Sequence, residues 1–237
     1  MPPFPPPPIH LWGVTAKLHP LPGGHRNTAF RTVGLRRDLV FKSTRRAPEA
    51  LGWLGQVQAL ARQTGLHVPT PVPSRAGNLL EAGWTCETFL SGSPLRPEDM
   101  PLLLPQISAF HDLAAALPQR PGFLSSAGLL DQARGGDVDL DAMPADLART
   151  CRAAWHAVSA GRQTVIHGDL NPSNLLRCAD GRIALLDWDE CRRDLALFDL
   201  GQLRPPDADE RRALLAWEIA CSWRIEPAHA RTLADRL

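Results

Sequence analysis

The chain has 237 residues, a formal net charge of +1, 44% hydrophobic and 22% charged residues, an ordinary globular composition with room for one large domain or two lobes sharing a cleft. So balanced a charge gives no broad field for a polyanion, which argues against nucleic acid as the main partner, and no uncharged apolar stretch approaches the ~18 residues of a membrane span. The five cysteines, odd in number and without a C-x-x-C pair, read as packed thiols in a reducing cytoplasm.

Residues 1–12, "MPPFPPPPIHLW", form a proline-rich tail of polyproline II character, without the basic start and apolar run of a secretory signal. In "KLHPLPGGHRNTAFRTVGLRRDLVFKS" two strand-like runs, 28–33 and 38–42, flank glycine-bearing turns. "RAPEALGWLGQVQALARQTG" reads as a helix: Pro48 sits in its first turn, Gly65 closes it, and Ala50, Leu51, Leu54, Val57 and Ala61 recur at helical spacing. "HVPTPVPSRAGNLLEAGWTCETFLSG" is strand-rich and punctuated by proline, with a hairpin turn at Gly77-Asn78. Residues 13–91 thus form a small β-rich lobe with one helix, and 92–237 a larger, mostly helical lobe. That second lobe carries predicted helices in "PEDMPLLLPQISAFHDLAAALP", "MPADLARTCRAAWHAVSAG", "DADERRALLAWEIACSWR" and "PAHARTLADRL", with a Gly/Asp-rich loop, "ARGGDVDLD", between the first two.

The chemistry concentrates in "VIHGDLNPSNLLRCADGRIALLDWDE", residues 165–190. Carboxylates inside apolar, strand-like runs are costly unless something pairs with them. Phosphoryl transfer needs such groups: one carboxylate to take the proton of an attacking hydroxyl, a carboxylate and an amide oxygen for Mg²⁺, and a lysine for phosphate oxygens. Asp169 and Asn174 stand five apart after one strand, and Asp187 follows 18 residues beyond Asp169 at the end of the next. The turn "CADGR" would set the two loops side by side, with Asp180 serving the turn.

"HGDLNPSN" followed by "LLDWDE" resembles the H-G-D-x-x-x-x-N and I-D-W signatures of the aminoglycoside phosphotransferase and choline kinase group of kinase-like enzymes. The resemblance implies an α/β (α+β), bilobal protein-kinase-like fold, hinged near residues 88–95. It implies a transferase moving the γ-phosphate of ATP to the hydroxyl of a small molecule. Asp169 would be the catalytic base, and Asn174 and Asp187 the Mg²⁺ ligands. "RRDLALFDLGQL" resembles the family's G-D-P-x-x-D-L-A segment, with Asp194 and Asp199 on its aspartates and Asp199 holding the catalytic loop. "PGGHRNTAF" stands where the nucleotide loop would be, with Gly23 and Gly24 letting backbone approach the phosphates. "LVFK" resembles the strand bearing the phosphate-binding lysine, and period-two alternation puts Val40 and Lys42 on one face. "ETFLSG" matches the segment between lobes, where backbone groups from Thr88 to Leu90 would meet a purine edge.

The family's helix offers the lysine a glutamate, and this helix offers Glu49, in the first turn, and the neutral Gln56 and Gln58, with Glu49 and Gln56 seven apart on one face. Gly168 in place of arginine, Trp188-Asp189 after Asp187, and the missing A-P-E set the chain apart from protein kinases. The missing G-x-x-x-x-G-K-[ST] and G-x-S-x-G motifs exclude P-loop and α/β-hydrolase chemistry. The alternative is a degenerate kinase-like protein that binds nucleotide without transferring phosphate. "DWDECRRD" puts Asp189, Glu190 and Asp194 near the expected acceptor, suiting a cationic alcohol, although Arg192 and Arg193 lie beside them.

Overall fold

The computed structural model describes residues 5–22 and 27–237. Four antiparallel strands open the fold in sequential order: β1 (Lys17–Leu21), β2 (Ala29–Val33), β3 (Leu39–Ser43) and β4 (Trp84–Thr88). β1 lies at the edge of the sheet, where its Pro20 costs least because no interior ladder bond is lost. Between β3 and β4 runs α1 (Pro48–Gln63), the expected helix, with Pro48 where an N–H would have no helical partner anyway.

The sheet has a small aromatic core of Trp12, Phe41, Trp84 and Cys86. Trp12 ends the proline-rich stretch in a short 3-10 turn, Ile9–Trp12. Its ring meets Phe41 edge-on at 5.3 Å, and its Nε1 donates to the Val72 carbonyl at 2.8 Å. The last part of the tail is therefore packed into the sheet and is not a free arm.

α1 belongs to a different core. Trp53, Val57 and Ala61 pack with Met100, Ile107, Phe110, Leu175 and Trp188 of the second half. Just beyond the helix, His67 bridges to the outer edge of a strand of that half: its N–H donates to Ile183 O and its carbonyl accepts from Leu185 N–H, both at 2.8 Å. The helix is built into the larger lobe while β1 to β4 form the smaller one.

The second half continues through β5 (Ser93–Pro94), α2 (Leu104–Ala114), α3 (Gly128–Asp131), β6 (Arg134–Gly135), β7 (Val138–Asp139), α4 (Ala145–Ala157), β8 (Gln163–Ile166), β9 (Leu175–Arg177), β10 (Ile183–Leu185), β11 (Arg192–Leu195), α5 (Leu197–Leu200), α6 (Ala208–Ser222) and α7 (Pro227–Ala234). Its strands pair in three small sheets, β10-β9-β5, β11-β8 and β6-β7, separate from the four-stranded sheet. The result is a mixed α+β protein with a β-rich first part and a helical second part. α4, α6 and α7 close over a core that includes Trp155 and Trp217. Asp207 and Glu210 start α6 with a reciprocal cap, each side chain taking the other residue's backbone N–H.

Three local expectations change. The helix expected from residue 97 is first a 3-10 turn, Pro97–Leu103, because Pro101 and Pro105 remove donors that an α-helix would use. The turn at Gly77 forms, with φ +85°, but its flanks make only single bridges, since Pro69, Pro71 and Pro73 leave too few N–H groups for a ladder. The Gly/Asp-rich loop is itself a two-residue hairpin, β6 with β7. Among the described residues no helix is long and apolar enough to cross a membrane.

Candidate active site

The loop after β8 is fixed from below by Asp199 on α5. This carboxylate is fully buried and accepts hydrogen bonds from His167 N–H at 2.8 Å, Gly168 N–H at 2.9 Å and His111 Nε2 at 2.9 Å. Burial alone would raise its proton affinity, but the His111 hydrogen bond and the charges and amides around it hold it below the usual carboxylate range. Gly168 has φ +86°, and a Cβ there would lie 2.6 Å from Glu190 O. Only glycine lets the two acidic loops touch backbone to backbone here.

His167 ties the same loops from the other side. Its Nε2 donates to Leu186 O at 2.9 Å, its Nδ1 accepts from Asp169 N–H at 3.3 Å, and its ring meets Trp188 edge-on at 4.8 Å. Leu186 N–H donates to Asn174 O at 2.8 Å. Asp169, Asn174 and Asp187 are thereby brought together. The Asp169 carboxylate accepts from Asn171 Nδ2 at 2.8 Å and from Asn174 Nδ2 at 2.9 Å. Asn174 so turns its N–H groups toward Asp169 and leaves its Oδ1, the end that can bind a cation, without a hydrogen bond among the described residues. Asp187 sits at φ +57°, a left-handed backbone that an aspartate tolerates better than a bulky residue.

Lys42 reaches the same place from β3. Its Nζ lies 3.1 Å from Glu87 Oε1 and 3.6 Å from Asp187 Oδ1. Burial favours its neutral form, yet the Glu87, Asp187 and Asp189 carboxylates together push its proton affinity up, so it is an ammonium at neutral pH. The helix glutamate expected to hold this lysine does not: Glu49 and Gln56 are both exposed on α1, and the ion pair is made by Glu87 on β4. The reason is the packing of α1 against the larger lobe.

Lys42, Asp169, Asn174 and Asp187 line one cleft of about 460 Å³, together with Asp189, Glu190, Glu218 and Glu226. Among the described residues that line it, six are carboxylates and one, Lys42, is basic. Asp189 is held by side chains of the first half. Asn27 Nδ2 donates to it at 2.9 Å, and Arg46 reaches it at 3.5 Å while also binding Asp137 at 2.8 Å. Burial would raise the Asp189 carboxyl, but Arg46, Arg120 and Asn27 hold it below the usual range. Asp189 thus joins the two lobes across the mouth of the cleft.

Other expected residues lie elsewhere. Asp194 is fully buried, bound to Arg192 Nε at 2.9 Å and to the Ser126 hydroxyl at 2.6 Å, so it braces β11 and does not face an acceptor. Val40 is buried on the face of β3 that carries Lys42, directly across from Glu87. Thr88 N–H is taken by Thr70 O and Phe89 N–H by Asp38 O, so neither amide is open to a purine; the cleft described above does not extend to Thr88 or Leu90. Gly23 and Gly24 lie outside the described residues. All five cysteines are free, and burial pushes the Cys86 and Cys151 thiols up to about 12, which fits packing groups. Sequence reasoning missed Glu87, Arg46, Asn27 and Glu218. Only strand register and lobe contacts reveal them.

Residues 17–232 match the profile of a family described as the phosphotransferase enzyme family. A comparison with curated proteins finds no match. Among solved structures, a microcompartment-associated aminopropanol kinase is similar at 17% identity and a TM-score of 0.63, covering 96% of this chain and 92% of that one. A choline kinase, LicA, from Streptococcus pneumoniae is similar at 13% identity and a TM-score of 0.61, covering 92% and 87%. A spectinomycin phosphotransferase, APH(9)-Ia, in complex with ADP and spectinomycin, is similar at 12% identity and a TM-score of 0.60, covering 95% and 86%. At these identities the likeness speaks to the fold.

Proposed function

The chain belongs to the phosphotransferase enzyme family, and from that premise we propose that it transfers the γ-phosphate of ATP to a hydroxyl of a small molecule in the cleft between its lobes. The observation that carries this reading is the convergence of Asp169, Asn174, Asp187 and Lys42, from three separate segments, on one cleft.

In this reading Asp169 receives the acceptor hydroxyl, orients it and takes its proton as the bond to phosphorus forms. Asn171 and Asn174 hold the carboxylate in place by donating to both of its oxygens. Lys42 binds phosphate oxygens as a fixed ammonium. The donor set fits a hard cation, with an anionic oxygen on Asp187 and the unengaged amide oxygen of Asn174. Mg²⁺ held there would neutralise charge on the transferred phosphoryl group. The rest of the catalysis is positioning, supplied by Asp199, Gly168 and His167 beneath the loop.

For the acceptor we take a small polar alcohol bearing a positive charge. Support comes from Glu190, Glu218 and Glu226 in the cleft, which add negative charge beyond what phosphate chemistry requires. The structural neighbours named above include kinases of aminopropanol and choline, both alcohols that carry a cationic nitrogen. The test is a panel of amino alcohols and neutral polyols with ATP and Mg²⁺, read by release of nucleoside diphosphate, on the wild type and Asp169→Asn. Transfer by the wild type and a fall of roughly 10²–10⁴-fold in the variant, the range of a general base, are expected. MgATP affinity is expected to stay unchanged. Equal turnover in the two proteins would remove Asp169 from the chemistry.

A further inference from the structure

We propose that Glu87, on β4, is the positioning residue for the phosphate-binding lysine, in the role that a helix glutamate was expected to fill. The inference rests on the reading of the cleft as a phosphate site.

Register is the first argument. β3 and β4 are antiparallel, with Val40 opposite Glu87 and Lys42 opposite Thr85. Side chains alternate along a strand, so Val40, Lys42 and Glu87 share one face of the sheet, with Glu87 diagonal to Lys42. Long side chains span such a diagonal, and here they close to 3.1 Å. The face is the one toward the cleft, because Lys42 lines it.

The second argument is that α1 contributes no carboxylate. Glu49 is the helix's only acid and is exposed, and Gln56 is exposed too. Trp53, Val57 and Ala61 commit the helix to the core of the larger lobe. A further argument is charge. Lys42 is shared between Glu87 and Asp187, so once Asp187 serves a cation, Glu87 is left as the carboxylate that keeps the ammonium in place.

Two readouts test the role, and neither needs turnover. Lys42 is acylated with an amine-directed reagent near pH 9 and followed by peptide mass in the wild type, Glu87→Gln, Glu87→Ala and Glu49→Gln. Loss of the Glu87 carboxylate, 3.1 Å away, frees the Lys42 amine from its partner on the sheet, so its acylation should quicken roughly fivefold, the upper end for a partly exposed ion pair. MgADP affinity by calorimetry should weaken about tenfold in both Glu87 variants. Glu49→Gln should match the wild type in both measurements, and all variants should melt as one cooperative unit. Unchanged Lys42 acylation in both Glu87 variants overturns the proposal, as does a larger effect from Glu49→Gln. A wild type that turns over no alcohol would sink the proposed transfer reaction while the acylation arm still decides the role of Glu87.

Discussion

Asp199→Asn tests whether the catalytic loop is held by one buried charge. Oδ2 of Asp199 accepts from both His111 and His167 N–H, and Oδ1 accepts from Gly168 N–H at 2.9 Å. Asparagine keeps one acceptor oxygen. Placed at Oδ2, it retains two bonds but turns its own N–H groups toward Gly168 N–H, leaving a buried donor unpaired at about 1–3 kcal/mol. The two retained bonds lose the assistance of the charge, roughly 1 kcal/mol each. The sum is about 3–5 kcal/mol, and at roughly 2–4 °C per kcal/mol for a chain of this size the melting temperature should drop by at least about 6 °C. The pH dependence has a definite sign. Because the folded carboxyl is held below its ordinary value, its stabilisation is complete above the unfolded value of ~3.9 and is lost as pH falls toward the folded one. Thermal melts of both proteins from pH 7 to pH 3.5 should therefore show a gap that is widest near neutrality and narrows in acid. A variant melting within about 2 °C of the wild type at pH 7, or a gap that does not narrow, would refute the reasoning.

Asp187→Asn should raise the ATP dissociation constant at least about tenfold in Mg²⁺ and leave it unchanged in EDTA, since a neutral amide is a poorer ligand for a hard cation; calorimetry with and without the metal checks it. Gly168→Ala should abolish turnover and lower stability by more than the roughly 1–3 kcal/mol of a left-handed non-glycine residue, because its Cβ would press on Glu190 O; a folded variant with wild-type activity would count against the packed loops. Trp12→Ala should cost about 3–5 kcal/mol in urea unfolding, as an aromatic removed from the small lobe's core, and a variant as stable as the wild type would show the tail to be unpacked.

What was legible in the sequence was local. The spacing of Asp169, Asn174 and Asp187 carries the loop–strand–turn–strand–loop order in itself, because one short hairpin, β9 to β10, brings the two loops together. The helix α1 follows from apolar periodicity and from Pro48 in its first turn, and α4, α6 and α7 form within the segments where helices were expected. What stayed hidden depends on which remote segments touch. Asp194 reads in sequence as an acid beside the acceptor, yet the antiparallel pairing of β11 with β8 turns it onto Ser126 and Arg192 in the interior. Arg46 carries no signal in the sequence and becomes the link between Asp137 and Asp189 only once the lobes meet.

The lysine shows the same division most sharply. Its strand and its face follow from alternation, but its partner is set by tertiary packing. Had the partner been on α1, a helix cemented to the larger lobe by Trp53, Val57 and the His67 bridge, any relative motion of the lobes would have moved the carboxylate away from the lysine. With the partner on β4, lysine and carboxylate ride on one sheet and stay together whether the cleft is wide or narrow. What crosses the cleft is the 3.6 Å approach of Lys42 to Asp187 and the Arg46 and Asn27 contacts to Asp189. The small lobe thus carries lysine and carboxylate as one preformed pair, and presents the lysine to Asp187 across the cleft.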